Sequence, residues 1–398
     1  MTDTLGRTLG HILGDISVEA FLRDYWQKKP LLIRQAIPDF QCPVEPDELA
    51  GLACEAEVES RLVIESENGK PWQLHNGPFP ESRFASLPPS HWTLLVQGLD
   101  HWVPAVADLL DEFRFIPNWR VDDVMASYAP VGGSVGPHFD DYDVFLLQAE
   151  GQRRWQIGGA CDFSTPRVEG TPLRIIANFE AESSFLLEPG DMLYLPPRIA
   201  HWGIAENDCM TLSVGFRSPS HEDILIGFSD HAAATLESGQ RYMDPDLKRP
   251  ENPGLIDAGV LDKLAGVIRR HLDDPGKLAS WFGQSVTAPK DSGVVSAPDE
   301  PYTATDLQEL VGEGRPLCWN EGSRFAYTEA GEARLLFVDG EQYILRGDAR
   351  HFAPVLCAGR HPDMHELAQL LQDPTLLDLA LHLCNQGSLY VPDDEPDE

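Results

Sequence analysis

His138-Phe139-Asp140, followed sixty-three residues later by His201, is the part of this chain best equipped for chemistry. His138 and Asp140 are two apart, so on a β-strand both side chains leave the same face. A second strand carrying His201 closes a site of two imidazoles and one carboxylate. That donor set holds Fe(II) by one face of its octahedron and leaves the other positions open for an organic acid and O2. Neutral imidazoles supply nitrogen, and the carboxylate offsets cation charge. Three further H-x-D triplets occur: His221-Glu222-Asp223, His271-Leu272-Asp273 and His361-Pro362-Asp363. Context separates them from the first. One opens a helical pattern (Ile224, Leu225, Phe228, Ala232, Ala233) and the next ends another, where residues two apart do not share a face. The last has the proline and acid of a helix start. His361 and His365 lack the glutamate of H-E-x-x-H and read as surface residues.

Several elements must position the first triplet. Val124 to Pro130 is apolar and β-prone, and Val131-Gly132-Gly133-Ser134-Val135-Gly136-Pro137 is turn chemistry, so a strand enters a tight corner just before His138. Asp143 to Gln148 reads as a second strand and Arg153 to Ile157 as a third, with a turn at Glu150-Gly151-Gln152. Leu186-Leu187, the turn Glu188-Pro189-Gly190-Asp191 and the short strand Met192 to Leu195 place His201 just past a strand end.

Composition bounds the rest. At 398 residues the chain has room for two or three domains with substantial cores. Hydrophobic residues make up 42% and mean hydropathy is −0.25, values of a soluble globular protein. No apolar run approaches the roughly 20 residues of a membrane span, and Met1 to Arg7 lacks the layout of a signal peptide. Seven cysteines without a C-x-x-C pair argue against a disulfide framework or structural zinc, and for a reducing cytoplasm. A net charge of −34 repels free nucleic acid and attracts a strongly basic protein, although it also serves plain solubility.

Residues 1–220 read as a helix at Val18 to Trp26, a strand at Leu31 to Ile33, then many short strands alternating with Gly/Pro/Asp turns. This pattern is mainly β, a sandwich or barrel with helical additions. Residues 221–285 turn helical, with Val260, Leu261, Leu264, Val267 and Ile268 in one apolar stripe and a further short helix around Leu278 to Phe282. The stripe suits a dimer interface or packing onto the β-domain. Residues 286–300 read as a linker. Residues 301–391 combine helices near Asp306–Leu310, His365–Gln372 and Leu376–Leu383 with a hairpin pairing Phe325–Tyr327 with Leu335–Val338, a winged-helix-like module. From residue 301 onward there are six arginines, no lysine and eighteen acids, which argues against DNA and for a structural or protein-docking role. Residues 392–398 read as a disordered acidic tail.

Several of these segments resemble known families. Gly132, five residues, His138-x-Asp140 resembles the first cupin motif. Gly190, five residues, Pro196, four residues and His201 resembles the second, although Arg198 stands where many cupins have glycine. Phe21 to Leu32, Gly136 to Phe145, Gly151-Gln152-Arg153-Arg154-Trp155 and Ser213-Val214-Gly215-Phe216-Arg217 are similar to the JmjC-type ribosomal oxygenases, most of all their bacterial branch. The resemblance covers the whole length. It implies a double-stranded β-helix (jelly roll), a helical dimerisation segment making a homodimer, and a C-terminal winged helix. It also implies an Fe(II)- and 2-oxoglutarate-dependent oxygenase that hydroxylates the β-carbon of an arginine on the sixteenth protein of the large ribosomal subunit. Histidine hydroxylation, lysine demethylation and a non-catalytic cupin docking module are the competing readings.

Within that frame His138, Asp140 and His201 are the expected iron ligands. Arg153 is the expected partner of the distal 2-oxoglutarate carboxylate, with Ser213 as a possible second donor or an ordinary strand serine. Arg154 points to the opposite face if the strand is regular. Trp155, Phe145, Tyr194 and Phe216 read as barrel core. Tyr142 with Asp122, Asp123, Asp141 and Asp143 lies near the expected mouth, where carboxylates and an aromatic face orient a basic side chain. Each of these acids has the alternative of a solvent-facing turn residue.

Overall fold

The computed structural model describes residues 11–67, 70–290 and 295–392, so the expectations for the N-terminal leader and for Asp393 to Glu398 of the acidic tail lie outside the described residues. Eleven strands build the first region: β1 (Leu31–Ile33), β2 (Ser60–Glu67), β3 (Lys70–Asn76), β4 (Trp92–Val96), β5 (Val121–Ala129), β6 (Asp143–Glu150), β7 (Arg153–Ala160), β8 (Ser183–Leu187), β9 (Met192–Leu195), β10 (Ile199–Ala205) and β11 (Cys209–Phe216). They form an eight-stranded sheet in the order β1-β9-β6-β11-β5-β4-β2-β3 and a three-stranded sheet in the order β10-β7-β8. Every pairing within the two sheets is antiparallel, as a jelly roll requires.

Strict alternation sorts the side chains of the large sheet. On β6, Val144 and Leu146 face the small sheet and meet Trp155, Ile157 and Leu187, with Leu193 and Leu195 of β9 beside them. Phe145 and Leu147 leave the other face. There, with Tyr194 and Phe216, they pack under Phe21 of the helix Val18–Asp24 and under Phe113. Phe21, Phe113, Phe145, Tyr194 and Phe216 are all essentially sequestered from solvent, each worth roughly 1.5–3 kcal/mol in apolar burial. Helices therefore cover one face of the large sheet and leave the gap between the sheets for function.

Beyond β11 the chain is helical, as its periodicity implies: His221–Ala234, Ala258–Leu272 and Pro275–Thr287. The third of these does not belong to the exposed helical segment. Its Gly283 lies against the ring of Phe337, and Phe282 packs edge-on against Trp119. It also runs two residues into the expected linker, where Val286 O accepts from Arg217 and Thr287 Oγ1 accepts from Gly340 N–H. The winged-helix-like region carries helices Ala304–Gly312, Met364–Leu370 and Pro374–Asn385, the short pair β12 (Cys318–Trp319) and β16 (Leu389–Tyr390), and a sheet of β13 (Phe325–Ala330), β14 (Ala333–Val338) and β15 (Glu341–Arg346). The expected hairpin is present in register, Phe325 opposite Val338, and β15 adds a third strand.

His361 is not a free surface residue. Its Nε2 lies 2.8 Å from Asp108 Oδ1 of the jelly-roll region, its Nδ1 faces Cys318 Sγ at 3.2 Å, and Arg360 beside it pairs with Asp108 and Glu321. The Asp108 hydrogen bond, followed by the Cys318 contact, raises the imidazole from about 6.5 to about 10. A folded-state value above the unfolded one stabilises the joint fully below about pH 6.5, and that contribution disappears as pH rises through about 10. In a thermal-melt series against pH, His361→Gln should fall furthest below the parent near pH 6 and converge with it towards pH 10. A constant gap would refute the imidazolium clamp.

Candidate active site

The gap between the sheets holds a cavity of about 610 Å³, well inside the roughly 300–1,000 Å³ of small-molecule sites. His138, Asp140 and His201 meet there, with one ligand atom from each lying within 4.8 Å of the others. Asp140 Oδ2 is 3.8 Å from His138 Nε2 and 3.6 Å from His201 Nε2. Two donors up to about 4.2 Å apart can share an ion through bonds of about 2.1 Å, so both carboxylate–imidazole separations fit a shared metal.

The way the chain achieves this differs from the expected pair of strand residues. His138 lies on no named strand and is joined to His201 by an isolated bridge. His138 N–H donates to His201 O at 3.0 Å and His201 N–H to His138 O at 2.8 Å. His201 itself lies inside β10, just after an irregularity in its pairing with β7, rather than past the end of β9. Each imidazole Nδ1 faces a backbone carbonyl at 2.9 Å, Gly136 O for His138 and Ile199 O for His201. A carbonyl only accepts, so Nδ1 carries the proton and Nε2 is left as the ligand atom. Burial, and then the neighbouring His138, push the His201 imidazole down to about 4, which keeps it neutral at physiological pH.

Ser134 contributes a support that sequence reading missed. Its Oγ accepts from Gly136 N–H at 2.9 Å and from Trp202 Nε1–H at 2.8 Å, tying the His138 loop to the strand of His201. Gly136 has φ of +80°, and a Cβ there would come within 2.4 Å of Ile175 Cδ1, so only glycine fits this bend.

Arg153 and Arg154 take opposite faces of β7, as expected. Arg154 pairs with Glu206 at 2.5 Å on the outside. Arg153 is 4% exposed and lines the cavity, where Nη1 donates to Ser127 Oγ at 3.2 Å. Among the described residues, its Nε and Nη2 have no hydrogen-bond partner. A buried guanidinium with two unpaired nitrogens is strongly disfavoured unless an anion completes it. A dicarboxylic keto acid supplies that anion at one end and a metal chelate at the other. Trp155 lies between the two poles, its ring 5.9 Å from both the His201 ring and the Arg153 guanidinium carbon. Ser213 lines the same cavity, as does Ser127, which sequence reading passed over although it shares its face of β5 with Asp123 and Met125.

Tyr142, Asp122, Asp123 and Asp141 all line the cavity, but Asp143 does not. Strand alternation sends Asp143 out with Phe145. It is fully buried and accepts from Tyr194 Oη (2.6 Å), Gln27 Nε2 (2.9 Å) and Arg120 Nη2 (3.0 Å). Burial pushes its carboxyl above the ordinary range, against those three partners. Asp143 is therefore an anchor for the strand after the metal loop, and not a substrate residue. Of the acids at the mouth, Asp123 holds Gln97 and Lys290, Asp122 holds Arg217 and Lys290, and Asp141 holds Arg198. The other H-x-D triplets lie apart from this cluster, two of them at helix ends and the third at the joint through His361.

Comparison with known proteins agrees with this geometry. Residues 108–224 match the JmjC domain family and residues 270–390 the ROXA-like winged helix family. The chain is 34% identical over 367 residues to the ribosomal protein uL16 3-hydroxylase of Escherichia coli, covering 92% of this chain and 95% of that protein. It is 44% identical over 237 residues to a probable ribosomal oxygenase of Haemophilus influenzae, covering 59% of this chain and 56% of that one. The E. coli ribosomal oxygenase YcfD, solved with cobalt and 2-oxoglutarate, superposes with a TM-score of 0.83 at 32% identity, covering 95% of this chain and 99% of that one. Sequence, fold and cavity together make this chain a member of the JmjC-type ribosomal oxygenases, a family whose chemistry uses Fe(II), 2-oxoglutarate and O2.

Proposed function

We propose that this chain hydroxylates the β-carbon of an arginine on uL16, the sixteenth protein of the large ribosomal subunit, using Fe(II), 2-oxoglutarate and O2. The observation that carries the reading is the buried Arg153, with two unpaired nitrogens, in the same cavity as the His138–Asp140–His201 cluster. The similarity to a uL16 3-hydroxylase over 92% of the chain supports the substrate.

In this reading His138 Nε2, Asp140 and His201 Nε2 hold the metal. Arg153, steadied by Ser127 and helped by Ser213, takes the distal carboxylate of 2-oxoglutarate. The bound metal and keto acid supply oxidative decarboxylation by O2, giving succinate, CO2 and one oxygen atom inserted into a C–H bond. Val144, Leu146 and Trp155 give the cavity apolar walls, which would keep water from a cosubstrate held between the three ligands and Arg153. Tyr142, 44% exposed at the mouth, offers an aromatic face to a guanidinium, and the Asp123 carboxylate, which holds Gln97 and Lys290, lines the same cavity. The net charge of −34 favours encounter with a basic ribosomal protein over free nucleic acid.

Two further features belong to the proposal. The helix Ala258–Leu272 buries none of its residues. Its Leu261, Leu264, Val267 and Ile268 stand exposed, as do Leu225 and Ile226 of the helix His221–Ala234, against which it packs. We assign this face to a second copy of the chain, because so large an apolar patch is unusual on a monomer. Among the described residues no helix is long and apolar enough to cross a membrane, and all seven cysteines are free, which supports a cytoplasmic site of action.

Incubating the protein with Fe(II), 2-oxoglutarate and a uL16 peptide should add about 16 Da, one oxygen atom, to an arginine in the tandem mass spectrum. The same gain on histidine, or loss of a methyl group from lysine, would favour the related activities. No 2-oxoglutarate turnover with any ribosomal peptide would leave a docking module. Arg153→Met should keep the fold and raise the 2-oxoglutarate KM about 10- to 100-fold, the worth of charged hydrogen bonds. An unchanged KM would remove Arg153 from the cosubstrate site. Leu261→Glu combined with Leu264→Glu should shift the sedimenting species to monomer mass, and a persistent dimer would place the interface elsewhere.

A further inference from the structure

Arg198 sits in the turn between β9 and β10 with φ of +64°, the left-handed region that a side chain enters only under strain. Its backbone makes two hydrogen bonds there. Arg198 N–H donates to Asp140 O at 2.6 Å, and Arg198 O accepts from Cys161 N–H at 2.7 Å. Glycine would make both without strain, so the backbone does not explain why arginine stands here.

The side chain offers little stability in return. Its Nε donates to Asp141 Oδ1 at 2.9 Å, and the guanidinium carbon lies 5.0 Å from the Phe163 ring centroid. The Arg198 and Asp141 side chains are 49% and 43% exposed, and ion pairs this exposed contribute little to folding.

Position gives the pair its meaning. Asp141 is the peptide neighbour of Asp140 and lines the same cavity, yet its carboxylate is not among the three groups that converge. A site with two imidazoles and one carboxylate works because its other coordination positions stay open for keto acid and O2. A second carboxylate one residue away is a rival donor for those positions, drawn in by the cation's charge. We propose that Arg198 is a positioning residue that holds Asp141 off the metal and so preserves the open positions. The inference rests on His138, Asp140 and His201 being the ligands.

The test compares the parent, Arg198→Gly, Asp141→Asn and the double variant, each loaded with Mn(II) or Co(II) in the absence of O2. Arg198→Gly should melt no lower than the parent, since strain is relieved. It should bind 2-oxoglutarate about 10-fold or more weakly, the usual scale for disturbing a group that supports a metal site. The Co(II) visible absorption without keto acid should weaken as a further ligand joins. Adding Asp141→Asn to Arg198→Gly should restore both the affinity and the spectrum, because an amide is a poor ligand for the ion. Unchanged 2-oxoglutarate affinity in Arg198→Gly, or a loss that Asp141→Asn does not repair, would overturn the assignment. A marked fall in melting temperature would make Arg198 structural instead. A parent that binds neither metal nor keto acid would sink the ligand assignment itself, a result distinguishable from any difference among the variants.

Discussion

Two backbone hydrogen bonds between His138 and His201 bridge the gap between the sheets, and the chemistry depends on that short pairing. The partners come from a loop and from β10, so neither imidazole is placed by its own sheet alone. The pairing brings the rings to a centroid distance of 4.3 Å and leaves Asp140 within reach of both. Every unusual local feature nearby serves to bring the loop into this register. The left-handed Gly136 turns the chain, Ser134 fastens it to Trp202, and Arg198 docks on the Asp140 carbonyl. Directional bonds with several fixed partners hold a ligand more closely than loop packing does, which a metal site requires.

The period of two along the strands was the most informative signal in the sequence. It separates Arg153 from Arg154, because adjacent residues on a strand must part to opposite faces. The same rule, carried one strand back, assigns Asp143 to the face of Phe145, away from the mouth where the sequence reading expects it. Ser127 was equally accessible. It shares the inward face of β5 with Asp123 and Met125 and faces a buried arginine. The donor triplet was legible for another reason. Residue type and context single it out among four H-x-D matches, although the chain joins its histidines by a bridge between a loop and a strand and not by a pair of regular strands.

What the sequence concealed lies at long range. His361 and Asp108 are 253 residues apart and meet only because the winged helix docks on the jelly roll. No local pattern marks such a contact, and an H-x-D at a helix start looks like any exposed cap. The linker illustrates the same limit. Pro, Gly and Ser composition marks the stretch after residue 286 as loop. Composition does not reveal that the preceding helix closes onto Phe337, or that Lys290 reaches Asp122 and Asp123 at the mouth of the cavity. The connection between domains is thus in electrostatic contact with the site.

The distribution of charge in the C-terminal region follows from that docking. Arg324 reaches the carbonyls of Val121 and Asp122, and Arg360 turns into the joint with Asp108 and Glu321. Arg334 pairs with Glu329 on its own sheet. Arg315 donates to Pro392 O and Arg350 to Gly347 O, so five of the six arginines beyond residue 300 are engaged within the protein, and no lysine supplements them. A winged helix that reads nucleic acid needs cations on its outer face. Here Arg324 and Arg360 are drawn inward to bind the domain to the catalytic region, and acids outnumber cations eighteen to six in this part of the sequence. The outcome is an anionic body around a cavity whose mouth carries carboxylates, a charge arrangement suited to a basic polypeptide.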